Sequence, residues 1–147
     1  LTLWRPWALY IANGEKRIEN RPWSPPADML GQTIAIHAGK KIDDVGKEMC
    51  RRVLGVQFVE KHHEEGIIGT ARIVGWVDPS RTIIRSLIPH DLELTDRDRE
   101  WLFGPIGWVL REARLFPKAI ACRGMQKLWK VPADIEVKVL EQLRVAA

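Results

Sequence analysis

The chain has 147 residues, of which 46% are hydrophobic and 29% charged, and its net charge is +4. This composition excludes an intrinsically disordered chain, and no apolar run reaches the roughly 20 residues of a membrane-spanning helix. The length fits one domain over residues 1–147. Two cysteines, Cys50 and Cys122, are too few for a disulfide framework, which predicts a protein of the reducing cytoplasm.

Start and stop signals divide the first half of the chain into short elements. Pro6 favours the start of a helix, and the Asn13-Gly14 pair is typical of a helix end. A group of prolines disfavours regular structure, whereas the apolar run QTIAIHA is typical of a buried strand. The predicted elements are a helix over 7–12, a strand over 16–21, a loop over 22–30, a strand over 32–38 and a helix from Asp43.

The second half is predicted to be mostly strand. Gly69 and Gly75 interrupt a β-branched run, which suits β-bulges or close barrel packing. Thr95 and Asp98 have the spacing of a capping box at a helix start. The predicted elements are a strand over 66–77, a short helix from Thr95, strands over 106–110 and 120–131 joined around Pro117, and a helix from Pro132 whose apolar residues also alternate like a strand.

The order and length of these elements indicate a fold class. The strands are short, outnumber the helices and do not alternate with them as βαβ repeats. This arrangement predicts an α+β fold, a small β-barrel flanked by helices. We find no internal repeat and no long linker in the sequence.

Motifs for metals, cofactors and covalent catalysis are missing from the sequence. His62 and His63 precede two glutamates, but adjacent side chains point apart, and no HExxH or CxxC spacing accompanies them. There is no phosphate loop, dinucleotide fingerprint or nucleophile elbow. We therefore predict a solvated loop at residues 62–65, no metal and no cofactor, and Cys50 as a small core residue.

Positive charge is concentrated between residues 111 and 130, where six basic side chains stand against a single acidic one, Glu112. Such a stretch suits contact with phosphate, and it equally suits a solvated strand face. The six basic residues are Arg111, Arg114, Lys118, Arg123, Lys127 and Lys130.

Residues 14–21 combine three cations and two acids around one isoleucine. In an extended strand, Arg17, Glu19 and Arg21 share one face, so that Glu19 can hold Arg21 in a fixed pose. Lys16 is then expected to leave the core as a free cation. Together these groups suit the capture of an anion or a base edge, and they equally suit routine surface ion pairs.

These motifs and their order resemble the ASCH domain. The family signature, GxKxxExR, fits Gly14, Lys16, Glu19 and Arg21. Further motifs of the family occur in order: WRPWA at 4–8, a tryptophan at 23, IAIHAGK at 34–40, a glycine-rich strand at 66–77, GWVL at 107–110 and CRGxxxLW at 122–129. The resemblance covers nearly the whole chain.

The resemblance implies a barrel similar to the PUA domain of RNA-modifying enzymes, with a ligand cleft beside it. It implies binding of RNA or another nucleic acid, or of a nucleotide or nucleoside. Lys16 and Arg21 would contact phosphate or a base edge, with Glu19 orienting Arg21. The expected ligand-binding residues are Lys16, Glu19, Arg21, Trp7, Trp23, His37, Lys40, Trp108 and Arg123, the three tryptophans as stacking faces unless they belong to the core.

Some small ASCH members are hydrolases, either amidohydrolases of N4-acylated cytosine nucleosides or ribonucleases. The amidohydrolases carry a threonine three residues after the signature lysine, where this chain has Glu19. In an enzyme, Lys16 and Glu19 would form the ionisable pair, with Glu19 activating water. The missing hydroxyl predicts little or no hydrolysis of N4-acetylcytidine. Nucleic-acid binding is therefore the leading hypothesis, a hydrolase the second and a protein-interaction module the third.

Overall fold

The structure, a computed structural model, describes residues 1–80 and 93–145. The strands of the described residues are β1 (Thr2–Arg5), β2 (Ile18–Arg21), β3 (Thr33–Ile42), β4 (Gly66–Val77) and β5 (Ile106–Ile120). The α-helices are α1 (Trp7–Ala12), α2 (Asp44–Leu54), α3 (Asp96–Glu100) and α4 (Ala133–Val145), with short 3-10 turns at Ala27–Met29 and Glu60–His62. None of the helices in these ranges has the length and apolarity that a bilayer crossing requires.

All five strands form one mixed sheet in the order β1-β3-β4-β5-β2. β1 runs parallel to β3, and the other neighbouring strands are antiparallel. Register shifts in β4 at Gly69 and Gly75 bend the sheet into a half-barrel. A Cβ on Gly69 would lie 2.4 Å from the carbonyl oxygen of Arg114, so only glycine permits this approach of β5. The predicted α+β small-barrel fold and its bulges are confirmed.

Capping residues stabilise the ends of α2 and α3. Asp43 accepts a hydrogen bond from the amide of Val45 at the start of α2, and Gly55 ends that helix with φ of 68°. Thr95 and Asp98 form the reciprocal capping box of α3. The C-terminal segment is helical rather than extended, because Ile135 and Val139 of α4 pack against β5.

The core lies inside the half-barrel, with α1 packed on its concave face. Ala8, Ile11 and Ala12 of α1 are at most 1% exposed and contact the sheet through a shared cluster with Ile36 and Ile73. A separate cluster joins α4 to the far end of β5. Cys50 is 2% exposed in a third cluster, which confirms the expectation of a core cysteine.

The structure corrects the prediction of two strands in the second half. Residues 106–120 form the single strand β5, and 121–132 have no regular structure. Strand β2 pairs with residues 106–109, and no other strand within residues 1–80 and 93–145 pairs with that edge of β5 beyond this point. Pro117 lies on this stretch, where a residue without an N–H is tolerated. Which residues pair with β2 is a tertiary property, and the local pattern does not encode it.

A second correction concerns the loop at residues 62–65. His63 is only 5% exposed, and its ring contacts Tyr10 and Phe58. Its backbone carbonyl also accepts a hydrogen bond from the guanidinium of Arg5 at 3.1 Å. The loop is therefore partly a core element, because a buried arginine needs acceptors that the sequence pattern does not assign.

Candidate nucleic-acid interface

A cleft of about 1220 Å³ lies beside the half-barrel. One wall is β1 with the middle of β3, and the other is the segment 122–132 with the start of α4. Five basic side chains line it, against the two acidic residues Glu65 and Asp134. The basic residues are Arg21, Lys40, Arg123, Lys127 and Lys130. The cleft is therefore net positive, which favours an anionic ligand.

Arg21 reaches the cleft from the end of β2 in a fixed orientation. Its Nε lies 3.1 Å from Oε1 of Glu19, and its Nη2 donates to the carbonyl oxygen of Thr2 at 3.3 Å. The Arg21 side chain is 21% exposed and the Glu19 side chain 10%, so solvent screens this ion pair weakly. The expected Glu19–Arg21 pair is present, and it leaves part of the guanidinium facing the cleft.

Lys16 is buried, and the expectation that it leaves the core is wrong. Its side chain is 2% exposed, donates to the carbonyl oxygen of Ile18 and lies 3.5 Å from Oε2 of Glu19. The Lys16 amide donates to the carbonyl of Tyr10, which directs the residue back under α1. Desolvation lowers the pKa of Lys16, although the Glu19 carboxylate opposes that shift.

Aromatic rings complete the surroundings of the buried ammonium. Lys16 Nζ lies 5.1 Å from the centroid of Trp7 and 5.9 Å from that of Trp101. Both distances suit cation–π attraction, which partly replaces the hydration of the ammonium. Lys16 and Glu19 do not line the cleft. They lie behind Arg21, which is paired with Glu19. Of these three signature residues, Arg21 therefore lines the cleft, whereas Lys16 and Glu19 hold Arg21 in position.

Arg17 was expected to share one face of the strand with Glu19 and Arg21, but it does not. It lies before the first residue of β2, and its guanidinium bonds both carboxylate oxygens of Asp98, at 3.0 and 2.9 Å. Arg111 also lies 3.4 Å from Asp98. Asp98 therefore gathers two of the cations that the sequence offered for phosphate contact, and this ion-paired cluster holds α3 against β5.

The three tryptophans expected to stack on a ligand lie outside the cleft. Trp108 is 0% exposed, so it has no free face and belongs to the core, the alternative to stacking that the sequence left open. Its Nε1 donates to the carbonyl of Trp23 at 2.8 Å, and the two rings pack edge to face. Trp7 donates to the Asp43 carboxylate at 2.7 Å. All three are held by core contacts.

Two other tryptophans, Trp4 and Trp129, line the cleft instead. Trp4 is 46% exposed on β1, whereas Leu1 and Leu3 on the opposite face are each 3% exposed. The strand alternation around Leu3 was the sequence signal that could have placed Trp4 outside the core. Trp129 donates through its Nε1 to Oγ1 of Thr2 at 3.1 Å, which anchors the segment 122–132 to β1.

His37 and Lys40 both line the cleft, and their contact with a ligand stays a prediction. His37 is 5% exposed, and its Nε2 lies 2.8 Å from the carbonyl oxygen of Cys122. A carbonyl only accepts, so Nε2 carries the hydrogen. A Cβ on Gly124 would lie 2.5 Å from the imidazole ring, and the segment therefore needs glycine there. Arg123, the residue before Gly124, is exposed and lines the cleft.

Burial lowers the pKa of His37 below its ordinary value of 6.5. As the pH drops below about 6.5, the unfolded chain binds more protons than the folded one. The free energy of unfolding therefore decreases as the pH is lowered through this range. We expect His37→Gln, which keeps a donor for the Cys122 carbonyl, to lose less stability between pH 7 and 5. Urea unfolding of both proteins across this range measures the difference. Parallel pH profiles of parent and variant would contradict the assignment.

The basic stretch from 111 to 130 divides into two parts with different surroundings. Arg111 is tied to Asp98, and Arg114 and Lys118 are exposed on β5 away from the cleft. The remaining three cations lie in the irregular segment and line the cleft: Arg123, Lys127 and Lys130. Two of the six basic side chains therefore face solvent away from the cleft, one is ion-paired to Asp98, and three form a candidate phosphate surface.

A half-barrel of α+β class with a basic cleft beside it agrees with the architecture expected from the sequence. The ASCH domain family model matches residues 1–106, and the chain therefore belongs to the ASCH domain family. The match ends before the segment that supplies Arg123, Lys127 and Lys130. No curated protein matches the chain significantly.

Proposed function

We propose that this protein binds RNA in the cleft beside its half-barrel. The observation that carries the proposal is the gathering of five basic side chains around one open cleft with only two acidic residues. Phosphates of a nucleic-acid backbone are the ligand that such a surface fits, because each contact releases condensed counterions. Membership of the ASCH family favours the same ligand.

Arg21 is proposed as the most specific of these contacts. The ion pair with Glu19 and the hydrogen bond from Nη2 to the Thr2 carbonyl restrict the guanidinium, so it loses little conformational entropy when it binds a phosphate or a base edge. Lys16 lies behind this pair and balances the second oxygen of Glu19. We assign Lys16 and Glu19 as positioning residues and the five cleft cations as contacting residues.

Binding without hydrolysis is the function we propose. Lys16 Nζ is occupied by the Ile18 carbonyl and Glu19, away from the cleft surface, which disfavours a direct encounter with substrate. We expect no release of cytidine when N4-acetylcytidine is incubated with the full chain. Absorbance, which distinguishes the nucleoside from its product, measures this reaction. Turnover at about 1 per second or faster would overturn this expectation and favour the hydrolase.

The proposal is tested by titrating the full chain with a fluorescent oligo(U) dodecamer at several salt concentrations. With about three to five phosphates contacted, the logarithm of the association constant should fall with the logarithm of salt concentration at a slope of roughly −2 to −4. An affinity that does not change with salt concentration would show that the protein does not contact phosphates. No binding at low salt would refute the proposed function. The matching oligo(dU) tests whether RNA is preferred.

A further inference from the structure

Trp4 is the exposed aromatic residue of the basic cleft. Among the large hydrophobic side chains that are exposed in residues 1–80 and 93–145, two line the cleft, Trp4 at 46% and Met125 at 59%. Trp4 points away from the core, on the face of β1 opposite Leu3. Its ring therefore does not fill the core of the half-barrel, and a role for it is to be sought in contacts made at the surface.

The ring of Trp4 is already positioned by a neighbouring cation. Nζ of Lys41, in β3, lies 3.6 Å from the ring centroid, a close cation–π contact. Lys41 covers one part of the ring, while nearly half of the side chain stays accessible. A flat apolar ring that is held in place and open to a positively charged cleft has the properties of a platform for a nucleic-acid base.

We infer that Trp4 stacks on an unpaired base, so that the ligand of the cleft is a single strand. This inference rests on the proposed function and adds the strandedness of the ligand. In a duplex the bases stack on one another and expose their edges, which leaves no π-face for Trp4. In a single strand the phosphates contact the basic residues while a base lies on the indole, with the flexible side chain of Met125 as an apolar neighbour in the same cleft.

The composition of the cleft favours this occupant over a protein partner. Five basic residues line the same cleft as the exposed ring, and they match a polyanion with aromatic groups better than an apolar protein surface. A single-stranded nucleic acid carries both complementary features, one phosphate and one flat base in every nucleotide. A purely electrostatic duplex binder would use the five cations and leave Trp4 without a role.

The test compares Trp4→Leu and Trp4→Phe with a control at Phe103, an aromatic residue that is 54% exposed and lies outside the cleft. The probes are the oligo(U) dodecamer and an RNA duplex of twelve base pairs. We expect Trp4→Leu to weaken binding of the single strand by about 5- to 150-fold, since stacking contributes that much per base. Trp4→Phe should lose less, because it keeps a ring, and Phe103→Leu should bind like the parent.

Salt dependence separates stacking from charge. Stacking releases no condensed counterions, so Trp4→Leu should bind more weakly with the same salt slope as the parent. Binding of the duplex should be equal in parent and variant. Thermal melting of each variant verifies the fold, and if Trp4→Leu does not fold, Trp4→Phe carries the test through its smaller loss and through reduced quenching of tryptophan fluorescence by oligo(U).

Two results would overturn the inference while leaving the proposed function intact. One is a parent that binds oligo(U) with the expected salt slope and a Trp4→Leu variant that binds it equally well. The other is an equal loss of single-strand and duplex binding in Trp4→Leu, which would make Trp4 a general contact. A parent that binds neither probe at any salt concentration refutes the proposed function itself.

Discussion

Replacement of Lys16 by alanine is expected to destabilise the protein by about 3–5 kcal/mol, the usual result of removing one partner from a buried ion pair. The Lys16 side chain is 2% exposed and 3.5 Å from Glu19, so its removal leaves part of a poorly hydrated carboxylate without its cation. It also removes the cation–π contacts of the ammonium with Trp7 and Trp101. At about 2–4 °C per kcal/mol, the melting temperature should fall by about 6–20 °C.

An exposed lysine in the same kind of pair provides the matched control. Lys47 lies 2.7 Å from Asp44, also three residues away, but its side chain is 37% exposed and that of Asp44 is 91% exposed. Lys47→Ala should therefore change the free energy of unfolding by no more than about 0.5–1 kcal/mol. If Lys16→Ala melts within a degree or two of the parent, Lys16 is not the buried partner of Glu19.

A double variant shows whether the destabilisation comes from the Glu19 carboxylate that loses one of its two cations. Lys16→Met with Glu19→Gln removes both charges of the buried pair and nearly preserves the volumes of the side chains. Because no buried carboxylate then lacks one of its two cations, the double variant should be more stable than Lys16→Ala, even though Arg21 loses its ion pair with Glu19. Glu19→Gln also weakens the hold on Arg21, so we expect weaker oligo(U) binding in the double variant even where it is fully folded.

Reversal of two charges in the irregular segment should affect RNA binding most. We expect Arg123→Glu with Lys127→Glu to weaken binding of oligo(U) by about 30-fold or more, from about 1–3 kcal/mol for each charged contact. The salt slope should become less steep by about 0.7 for each phosphate that the protein no longer neutralises. Both residues are exposed, so thermal melting should change little. Fluorescence titration at two or more salt concentrations measures both effects.

The same basic stretch contains a control with an equal change in net charge. Arg114 and Lys118 are exposed on β5 and do not line the cleft. Arg114→Glu with Lys118→Glu should change the affinity several-fold at most, through the long-range field alone. Equal reductions of affinity in the two double variants would mean that overall charge, rather than the cleft, determines binding.

Elements whose signals are local were predictable from the sequence. The capping box at Thr95 and Asp98 satisfies backbone donors three residues apart, so it forms the same way in many tertiary settings. The glycine-interrupted run of β4 likewise predicted a bent strand with the observed bounds, because β-branched residues favour extension and glycine permits bulges. The spacing of Glu19 and Arg21 predicted their ion pair, since both lie on one face of β2.

The surroundings of the site residues depended on contacts between distant parts of the chain. Lys16 is enclosed by Trp7 and Trp101, and no periodicity near Lys16 indicates that Trp101 packs there. The single strand β5 likewise depends on where β2 stops pairing. In both cases the deciding quantity is desolvation or pairing by a remote element, which alternation patterns do not describe.

The sequence by itself therefore determined the family signature, the small-barrel fold class and the local pairing of Glu19 with Arg21. Only the tertiary structure decided which charges line the cleft. It buries Lys16, ties Arg111 to Asp98 and brings Arg21 beside Arg123, about a hundred residues later, at one cleft. The physical reason is that the desolvation and the ion-pair partners of a charged side chain decide whether it lies behind the cleft or on its surface. Both depend on contacts between distant parts of the chain, which form only on folding.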